Sequence, residues 1–291
     1  MSAPGESARP APWRPRAPLG EPGALEILRI STDAAGRLEN APREAGVVHS
    51  VFEEAVNILW HDERLLTLHG SGPLQAPFAA GLQRMPPTGV LRPAMPVSRL
   101  GRVIAAGSVT VSWRAATLVD TSLAPVLDPP TLLTRALLAV KAHPGAPALG
   151  SPRAREAQDR VGEGLRHHEA RVFAEGARAL IGLGEGLTPA GDDCLVGVLA
   201  VLARFRPSLL AADPGTVSEL ADCARAHTTI VGREFLLHAL AGEFSEPVLG
   251  LMTADSEPAA RGAAERLASM GASSGADTLN GMRLALADLP M

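Results

Sequence analysis

Three segments in the second half of the sequence combine glycine, hydroxyl and carboxylate residues at points where helices are predicted to begin. The first segment, GLGEGLTPAGDD at 182–193, places three glycines before Thr188 and Pro189 and ends in Asp192 and Asp193. Thr is a favoured N-cap and Pro a favoured first helical residue, so we expect Thr188 to cap a helix that begins at Pro189. Backbone N–H groups at a glycine-rich helix start can bind an anion with no Cβ in the way. The segment therefore indicates a phosphate or carboxylate site.

The two aspartates begin a helix that is apolar on more than one face. At 100° per residue, Asp192 tops an apolar stripe, whereas Asp193 tops a groove of small residues that includes Gly197. Gly191 within the first turn is unusual, because glycine costs about 1 kcal/mol relative to alanine there. Acidic residues in a first turn complement the helix dipole by about 0.3–1 kcal/mol each. That explanation suffices for one exposed aspartate, but two on a buried helix beside a glycine turn favour a functional role.

The other two segments are shorter and carry more hydroxyl groups. The segment HTTIVGR at 227–233 places Thr228 and Thr229 before a helix, and either threonine can cap it. The segment SSGADTLNG at 273–281 has a serine and an aspartate in the S-x-x-D spacing of a capping box. Capping explains one threonine of the second segment, and the threonine pair is only a weak indication of function. In the third segment capping explains Ser274 and Asp277, and the second serine, Thr278 and the flanking glycines leave a functional role equally open.

These segments supply the candidate site residues. The candidate catalytic residues are Asp192 and Asp193. The candidate substrate- or phosphate-binding residues are Gly182, Gly184, Gly186, Thr188, Gly191, Thr228, Thr229, Ser273, Ser274, Gly275, Asp277 and Thr278. His227 is the candidate base nearest to them in the sequence, and no set of metal-ligating residues is predicted.

Composition argues against several classes of protein. The chain has 291 residues, a formal net charge of −4, three Trp, six Phe and no Tyr, so neither a basic stripe nor base-stacking aromatics indicate nucleic-acid binding. No apolar run has the length of a membrane span, and we expect a cytoplasmic protein. Cys194 and Cys223 lie in apolar stretches and are predicted to be buried thiols. Walker-loop, nucleophile-elbow and H-E-x-x-H patterns do not occur.

The elements that must position the candidate residues change character near residue 128. Residues 24–128 contain short apolar runs split by Gly and Pro, which predict a β-rich domain, either a barrel or a sandwich. Residues 129–291 have helical periodicity and predict a mostly helical domain, so the fold class is α+β. The Pro-rich residues 1–23 predict a disordered leader.

Individual elements can be predicted within both parts. In the first part, strands are expected at 24–30, 64–70, 89–95, 101–107, 108–113 and 116–120, with one helix near 51–60. In the second part, helices are expected from 131 to 143, across 155–184, and at about 189–205, 229–241 and 276–287, with a loop at 143–152.

Together the three segments resemble the AllH-type third-subunit domain of oxamate carbamoyltransferase. The similarity covers GLGEGLTPAGDDCLVGVLA at 182–200, the stretch 228–247 and SSGADTLNGM at 273–282. It implies transfer between oxalurate and phosphate, giving oxamate and carbamoyl phosphate, a role in allantoin and purine catabolism, and partner subunits. Two positions depart from the family's pattern: Gly232, where a hydroxyl residue is often found, and Ala272, where a histidine is often found. Both departures bear on which substrate this chain binds.

The implied substrates are anions, which constrains the role of the two aspartates. An anion about 5 Å from a carboxylate is repelled by roughly 3 kcal/mol at an effective dielectric of 20. Either Mg²⁺ bridges Asp192 and Asp193, or they accept hydrogen bonds from ureido N–H groups, which we favour because a carbamoyl group presents donors. A non-catalytic subunit that binds a metabolite or holds partners together remains an alternative. A free-standing hydrolase or lyase is disfavoured by the scarcity of nucleophiles near the segments.

Overall fold

The computed structural model describes residues 24–126, 129–142, 149–211 and 213–287. The predicted leader at 1–23 and most of the predicted loop at 143–152 lie outside these ranges. The strands are β1 (Leu25–Ser31), β2 (Glu44–Val51), β3 (Ala55–Trp60), β4 (Leu65–His69), β5 (Ala79–Leu82), β6 (Pro96–Leu100), β7 (Val103–Ala106), β8 (Val109–Ser112) and β9 (Thr117–Val119). The helices are α1 (Thr32–Asn40), α2 (Pro129–Ala142), α3 (Pro152–His167), α4 (Ala170–Leu180), α5 (Ala190–Phe205), α6 (Pro207–Ala211), α7 (Pro214–His227), α8 (Ile230–Leu240), α9 (Glu246–Met252), α10 (Glu257–Ala268) and α11 (Ser274–Ala287).

The strands close into a barrel, which confirms the predicted β-rich first part. Their order is β5-β4-β3-β2-β6-β7-β8-β1, and β1 pairs back onto β5, while β9 continues along the edge of β1 beyond β8. Alternate residues of each strand fill the barrel with aliphatic side chains, including Ile27, Val48, Ile58 and Leu66. Closure leaves few unpaired strand edges for solvent.

Two sequence predictions in the barrel are wrong. The helix predicted near 51–60 is instead a turn followed by β3, whose Val56, Ile58 and Trp60 alternate into the barrel core. The strand predicted at 89–95 is a run of turns, with positive φ at Gly89 and Ala94, a conformation that an extended strand cannot accommodate.

Four elements in this part have no counterpart among the predictions: α1, β2, β5 and β6. Helix α1 directly follows β1, and the hydroxyl of Ser31 caps it by accepting from the N–H of Ala34 at 3.1 Å. The last strand ends at Val119 and the next helix begins at Pro129.

The described residues after Val119 are largely helical, and α5 lies at their centre. Every residue of α5 from Gly191 to Leu202 is buried, and α4, α8, α9 and α11 pack around the helix. Gly197 allows α5 and α11 to pack closely, because a Cβ at this position would lie 2.0 Å from the carbonyl oxygen of Thr278 in α11. No described helix combines the length and apolar character needed to cross a lipid bilayer.

The barrel and the helical region share an interface at α8. Leu65 and Phe78 of the barrel form an apolar cluster with Val231 of α8. Beside this cluster, Arg64 donates to the buried Glu234 at 2.6 Å and lies 3.0 Å from the Nε2 of His238.

Candidate functional site

The three glycine- and hydroxyl-rich segments meet at one place, as their chemistry predicted. The hydroxyl oxygens of Thr188 and Ser274 are 2.8 Å apart and join the first segment to the third. The hydroxyl of Thr228 donates to Asp192, which joins the second segment to the first. We refer to the residues around these contacts, 182–193, 227–233 and 273–278, as the helix-start cluster, since α5, α8 and α11 all begin there.

Asp192 is held from two sides within this cluster. Its Oδ1 accepts from the N–H of Gly182 at 2.7 Å, and its Oδ2 accepts from Thr228. Burial raises the pKa of Asp192, and these two hydrogen bonds offset part of the rise. Gly232 makes the arrangement possible, because a Cβ at that position would lie 2.3 Å from Oδ2 of Asp192. Asp192 therefore connects the starts of α5 and α8 and uses the amide of Gly182 for this purpose.

Asp193 has a different environment from its neighbour. The residue is 5% exposed, and its Oδ2 has no hydrogen-bond partner within the described ranges. Burial raises the pKa of Asp193 to about 7, against the opposing effect of the Ser274 and Thr188 hydroxyls and with the charge of Asp277 adding to the rise. Asp193 therefore keeps its proton to a much higher pH than an ordinary aspartate, which is almost fully ionised at neutral pH.

Asp277 brings a second unsatisfied carboxyl group into the cluster. It is fully buried, and neither of its carboxyl oxygens has a hydrogen-bond partner in the part of the chain that the structure describes. Burial raises the pKa of Asp277, and the nearby hydroxyl of Ser273, which does not meet hydrogen-bond geometry with either oxygen, opposes only part of the rise. A buried carboxylate without a partner is costly, so this environment favours the neutral acid. The neighbouring Thr278 hydroxyl donates to the carbonyl of Ser274 at 2.8 Å.

Most of the glycines in the cluster serve close backbone packing. A Cβ at Gly182 or at Gly191 would lie 2.1 Å from a carbonyl oxygen, and one at Gly275 would lie 1.7 Å from another. A Cβ at Gly184 would lie 2.7 Å from the backbone nitrogen of Ala190. Gly186 differs, because it has a φ of +95°, lies on an exposed part of the loop and has no atom within 4 Å of its Cβ position. Open space for a ligand is therefore found in front of Gly186.

The hydroxyl groups do not all cap helices as predicted. Pro189, with ψ of 139°, occupies the N-cap of α5, while the Thr188 hydroxyl is directed towards Ser274. Thr229 does cap α8, accepting from the N–H of Gly232 at 3.0 Å, and its own hydroxyl donates to the carbonyl of Leu187. The capping box predicted for the third segment does not form, because Ser274 is already the first residue of α11. The hydroxyls of Thr188 and Ser274 therefore form a contact between two segments instead of capping their own helices.

A small enclosed cavity reaches the cluster from the interior. Asp193 and Thr278 line it together with the apolar side chains of Val196, Phe244 and Met270. It has room for about one water molecule. Among the described side chains, no three His, Cys, Asp or Glu residues are grouped so that they could hold a metal ion.

Among the remaining reactive side chains, Cys223 departs from the prediction that both cysteines are buried. Cys194 is a buried free thiol, and burial raises its pKa to about 12, which makes it unreactive as a nucleophile. Cys223 is also a free thiol and is half-buried. His238 is 2% exposed and stacks on Phe78, as expected of a packed histidine. His227, the candidate base, is exposed at the end of α7.

Comparison with known families places both parts of the chain. Residues 180–286 match the family described as oxamate carbamoyltransferase subunit AllH, and this range includes the whole helix-start cluster. Residues 26–118 match the AllH family N-terminal domain, which corresponds to the barrel. Searches of curated proteins and of solved structures returned no match. The resemblance inferred from the three segments is confirmed, and the chain belongs to the AllH family of oxamate carbamoyltransferase subunits.

Proposed function

We propose that this chain contributes the helix-start cluster to the active site of an oxamate carbamoyltransferase, with Asp193 as its catalytic residue. Asp193 carries the proposal, because it is a buried carboxyl with an unpartnered oxygen at the point where three helix starts meet. Membership of the AllH family supplies the reaction class and the requirement for partner subunits.

Asp193 suits a proton transfer to nitrogen. In the direction from oxalurate, a phosphate oxygen attacks the ureido carbonyl carbon, and a new C–O bond forms. The C–N bond then breaks, and its electron pair remains on the nitrogen of oxamate, which must gain a proton. A carboxyl group with a pKa of about 7 is protonated often enough at neutral pH to donate that proton. In the opposite direction, the carboxylate removes a proton from the nitrogen of oxamate.

The rest of the cluster binds and positions. In this proposal the exposed backbone at Gly186 approaches phosphate or the oxalurate carboxylate near the positive end of the α5 dipole. The N–H groups of Gly191, Asp192 and Asp193 already donate to backbone carbonyls and are not part of the anion site. Asp192 acts as a positioning residue, because both of its oxygens are engaged by Gly182 and Thr228. Ser274 and Thr188 provide hydroxyls beside Asp193 that can orient the substrate amide.

The test is carbamoyl phosphate formation from oxalurate and phosphate by the complete complex with partner subunits. Asp193→Asn keeps the shape of the side chain and removes the acid, so kcat is expected to fall at least tenfold with an unchanged melting temperature or a higher one. The matched control is Asp222→Asn, an exposed aspartate of α7 paired with Arg225 at 2.7 Å, which should leave kcat unchanged. Full activity of the Asp193→Asn complex would instead favour a non-catalytic metabolite-binding or scaffold subunit.

A further inference from the structure

A second cavity lies between the barrel and the helical region. It is a cleft of about 840 Å³, with walls formed by β4 and the loop after it on one side and by Glu246 and the C-terminal end of α10 on the other. Small-molecule sites have comparable volumes and often occur between domains. The cleft adjoins the helix-start cluster, since Met270 lines both the cleft and the enclosed cavity at Asp193, and the Cβ position of cleft-lining Gly271 lies 3.4 Å from the hydroxyl oxygen of Ser274.

Strand β4 presents polar side chains to this cleft. Leu66 and Leu68 belong to the barrel core, whereas Leu65 packs outside the barrel against the helical region. Because side chains alternate along a strand, Thr67 and His69 share the outer face with Leu65, and both line the cleft. Thr67 and His69 therefore face the helical region across the cleft instead of facing bulk solvent.

A β-bulge extends the polar surface onto β2. The register of β2 against β3 shifts between Val48 and Ser50, so that Ser50 pairs with Asn57 on the outer face instead of following Val48 into the barrel. Asn57 donates to the hydroxyl of Ser50 at 3.0 Å, and Thr67 donates to Asn57 at 2.7 Å. Bulges of this kind redirect side chains, often next to functional sites. A hydrogen-bonded polar row therefore runs across three strands towards the cleft.

His69 lies at the end of this row with one ring nitrogen unused. The residue is 7% exposed, and its Nε2 has no hydrogen-bond partner in the described part of the chain. Burial lowers the pKa of His69, with the Gly70 backbone and the charge of Glu246 opposing the change, so the ring is neutral at pH 7. An unsatisfied buried nitrogen is destabilising, and a ligand in the cleft would supply its partner.

The charges around the cleft indicate the class of ligand. Arg266 stands on the helical wall with an exposed side chain, whose Nη1 lies 3.4 Å from the Cβ position of Gly262 on the same helix. Turning this flexible side chain into the cleft brings its guanidinium to a carboxylate, which it binds through paired hydrogen bonds. Glu246 is already neutralised by Arg29 at 2.5 Å and accepts from the N–H of Leu74 at 2.6 Å. Glu54 adds a further negative charge to the barrel wall. One negative charge on the ligand is therefore favoured over two.

We propose that this cleft is a second binding site, for a small monocarboxylate that also carries an amide or hydroxyl group. Arg266 binds the carboxylate, and His69 forms a hydrogen bond with the polar end of the ligand. This site differs from the one at Asp193 in its residues and in its charge. One of its two walls also belongs to the barrel.

The test observes the histidine ring directly. The full-length chain, labelled with ¹⁵N, is titrated with oxamate, and the ring nitrogens are followed by NMR; the His69 signal is identified by its loss in His69→Leu. We expect the Nε2 resonance of His69 to shift on titration. In Arg266→Gln, a surface substitution that leaves the fold intact, the apparent affinity should fall at least tenfold. Arg261→Gln on the same helix, where Arg261 pairs with Glu257 at 2.7 Å, is the matched control and should bind like the parent chain.

Other outcomes would overturn the proposal. An unmoved His69 resonance, or equal affinity in the Arg266→Gln and parent chains, would show that oxamate does not bind in the cleft. A His69 shift abolished by Asp193→Asn would place the ligand at the helix-start cluster. Tighter binding of inorganic phosphate than of oxamate would contradict the predicted ligand class.

Discussion

The backbone of Gly281 in α11 lies directly against the carbonyl oxygen of Cys194 in α5, so that a Cβ on Gly281 would be 1.7 Å from that oxygen. With the reciprocal contact of Gly197 against Thr278, this brings the two helix backbones into van der Waals contact. The crossing lies within four residues of both Asp193 and Asp277. It therefore sets the separation of the two carboxyl groups whose charges repel each other.

Gly281→Ala should therefore destabilise the protein by at least about 2 kcal/mol, because the obstacle is backbone that cannot rotate away. The change is measured as the free energy of unfolding in denaturant. Gly262→Ala in α10 is the matched control, since its Cβ would meet only the end of the Arg266 side chain at 3.4 Å. That control should gain about 0.5–1 kcal/mol from helix propensity. Equal stability of the two variants would show that α5 and α11 can move apart freely.

Gly232→Ala should disturb the hydrogen bond between Asp192 and Thr228, because the new Cβ would lie 2.3 Å from one and 2.9 Å from the other. We expect a loss of about 1–3 kcal/mol in unfolding free energy. In an Asp192→Ala background, the added methyl group has space, and the same change should cost much less. A double-mutant cycle by denaturant titration measures this coupling, expected to exceed about 1 kcal/mol. Additive effects would mean that the methyl group clashes elsewhere.

The raised pKa of Asp193 predicts how stability depends on pH. The pKa of Asp193 is about 7 in the folded state, against 3.8 for an ordinary aspartate, so the folded state holds the proton more tightly between these pH values. The stabilisation from this proton is complete below about pH 4 and is lost as pH rises towards 7, by up to about 4 kcal/mol. Unfolding free energies of the parent chain and Asp193→Asn, measured from pH 4 to pH 8, should diverge accordingly. A constant difference across that range would show an unperturbed Asp193.

The raised pKa of Asp193 also predicts how turnover depends on pH. If Asp193 donates to the leaving nitrogen, kcat in the direction from oxalurate should decline as pH rises above about 7. The residual activity of Asp193→Asn should lack this decline. Rates measured across this range in the intact complex, with oxalurate and phosphate at saturating concentrations, provide the comparison.

Sequence reasoning identified the cluster but could not separate the roles of its two aspartates. The glycines, hydroxyls and carboxylates stand at helix starts, and helix starts are visible in periodicity, so their convergence was predictable. Asp192 contacts Gly182 and Thr228, the second of which is 36 positions away in the sequence, so the positioning role proposed for it depends on a long-range contact. The close packing of Gly182, Gly191 and Gly275 against backbone carbonyls likewise depends on neighbours that the local sequence does not show.

The barrel was harder to predict in detail. The run around β3 carries acidic and apolar residues in an order that suits both a helix and a strand, and pairing with β2 and β4 decided between them. His69 offered no signal, because a single histidine in a short strand acquires its surroundings only when the helical region covers that strand. Ser50 could not be placed on the outer face, since the bulge at His49 is a property of the pairing.

The closed barrel has a consequence for how relatives of this chain can change their assembly. Strand β1 pairs with β5 along one edge and with β8 and then β9 along the other, so its backbone groups are already occupied. A partner that recognises a protein by adding a strand needs a free edge, and little of one is available here. Recognition through the barrel must depend on side chains of its outer surface. Partner choice can therefore diverge between relatives by surface substitution, while the strand pairing that maintains the fold stays unchanged.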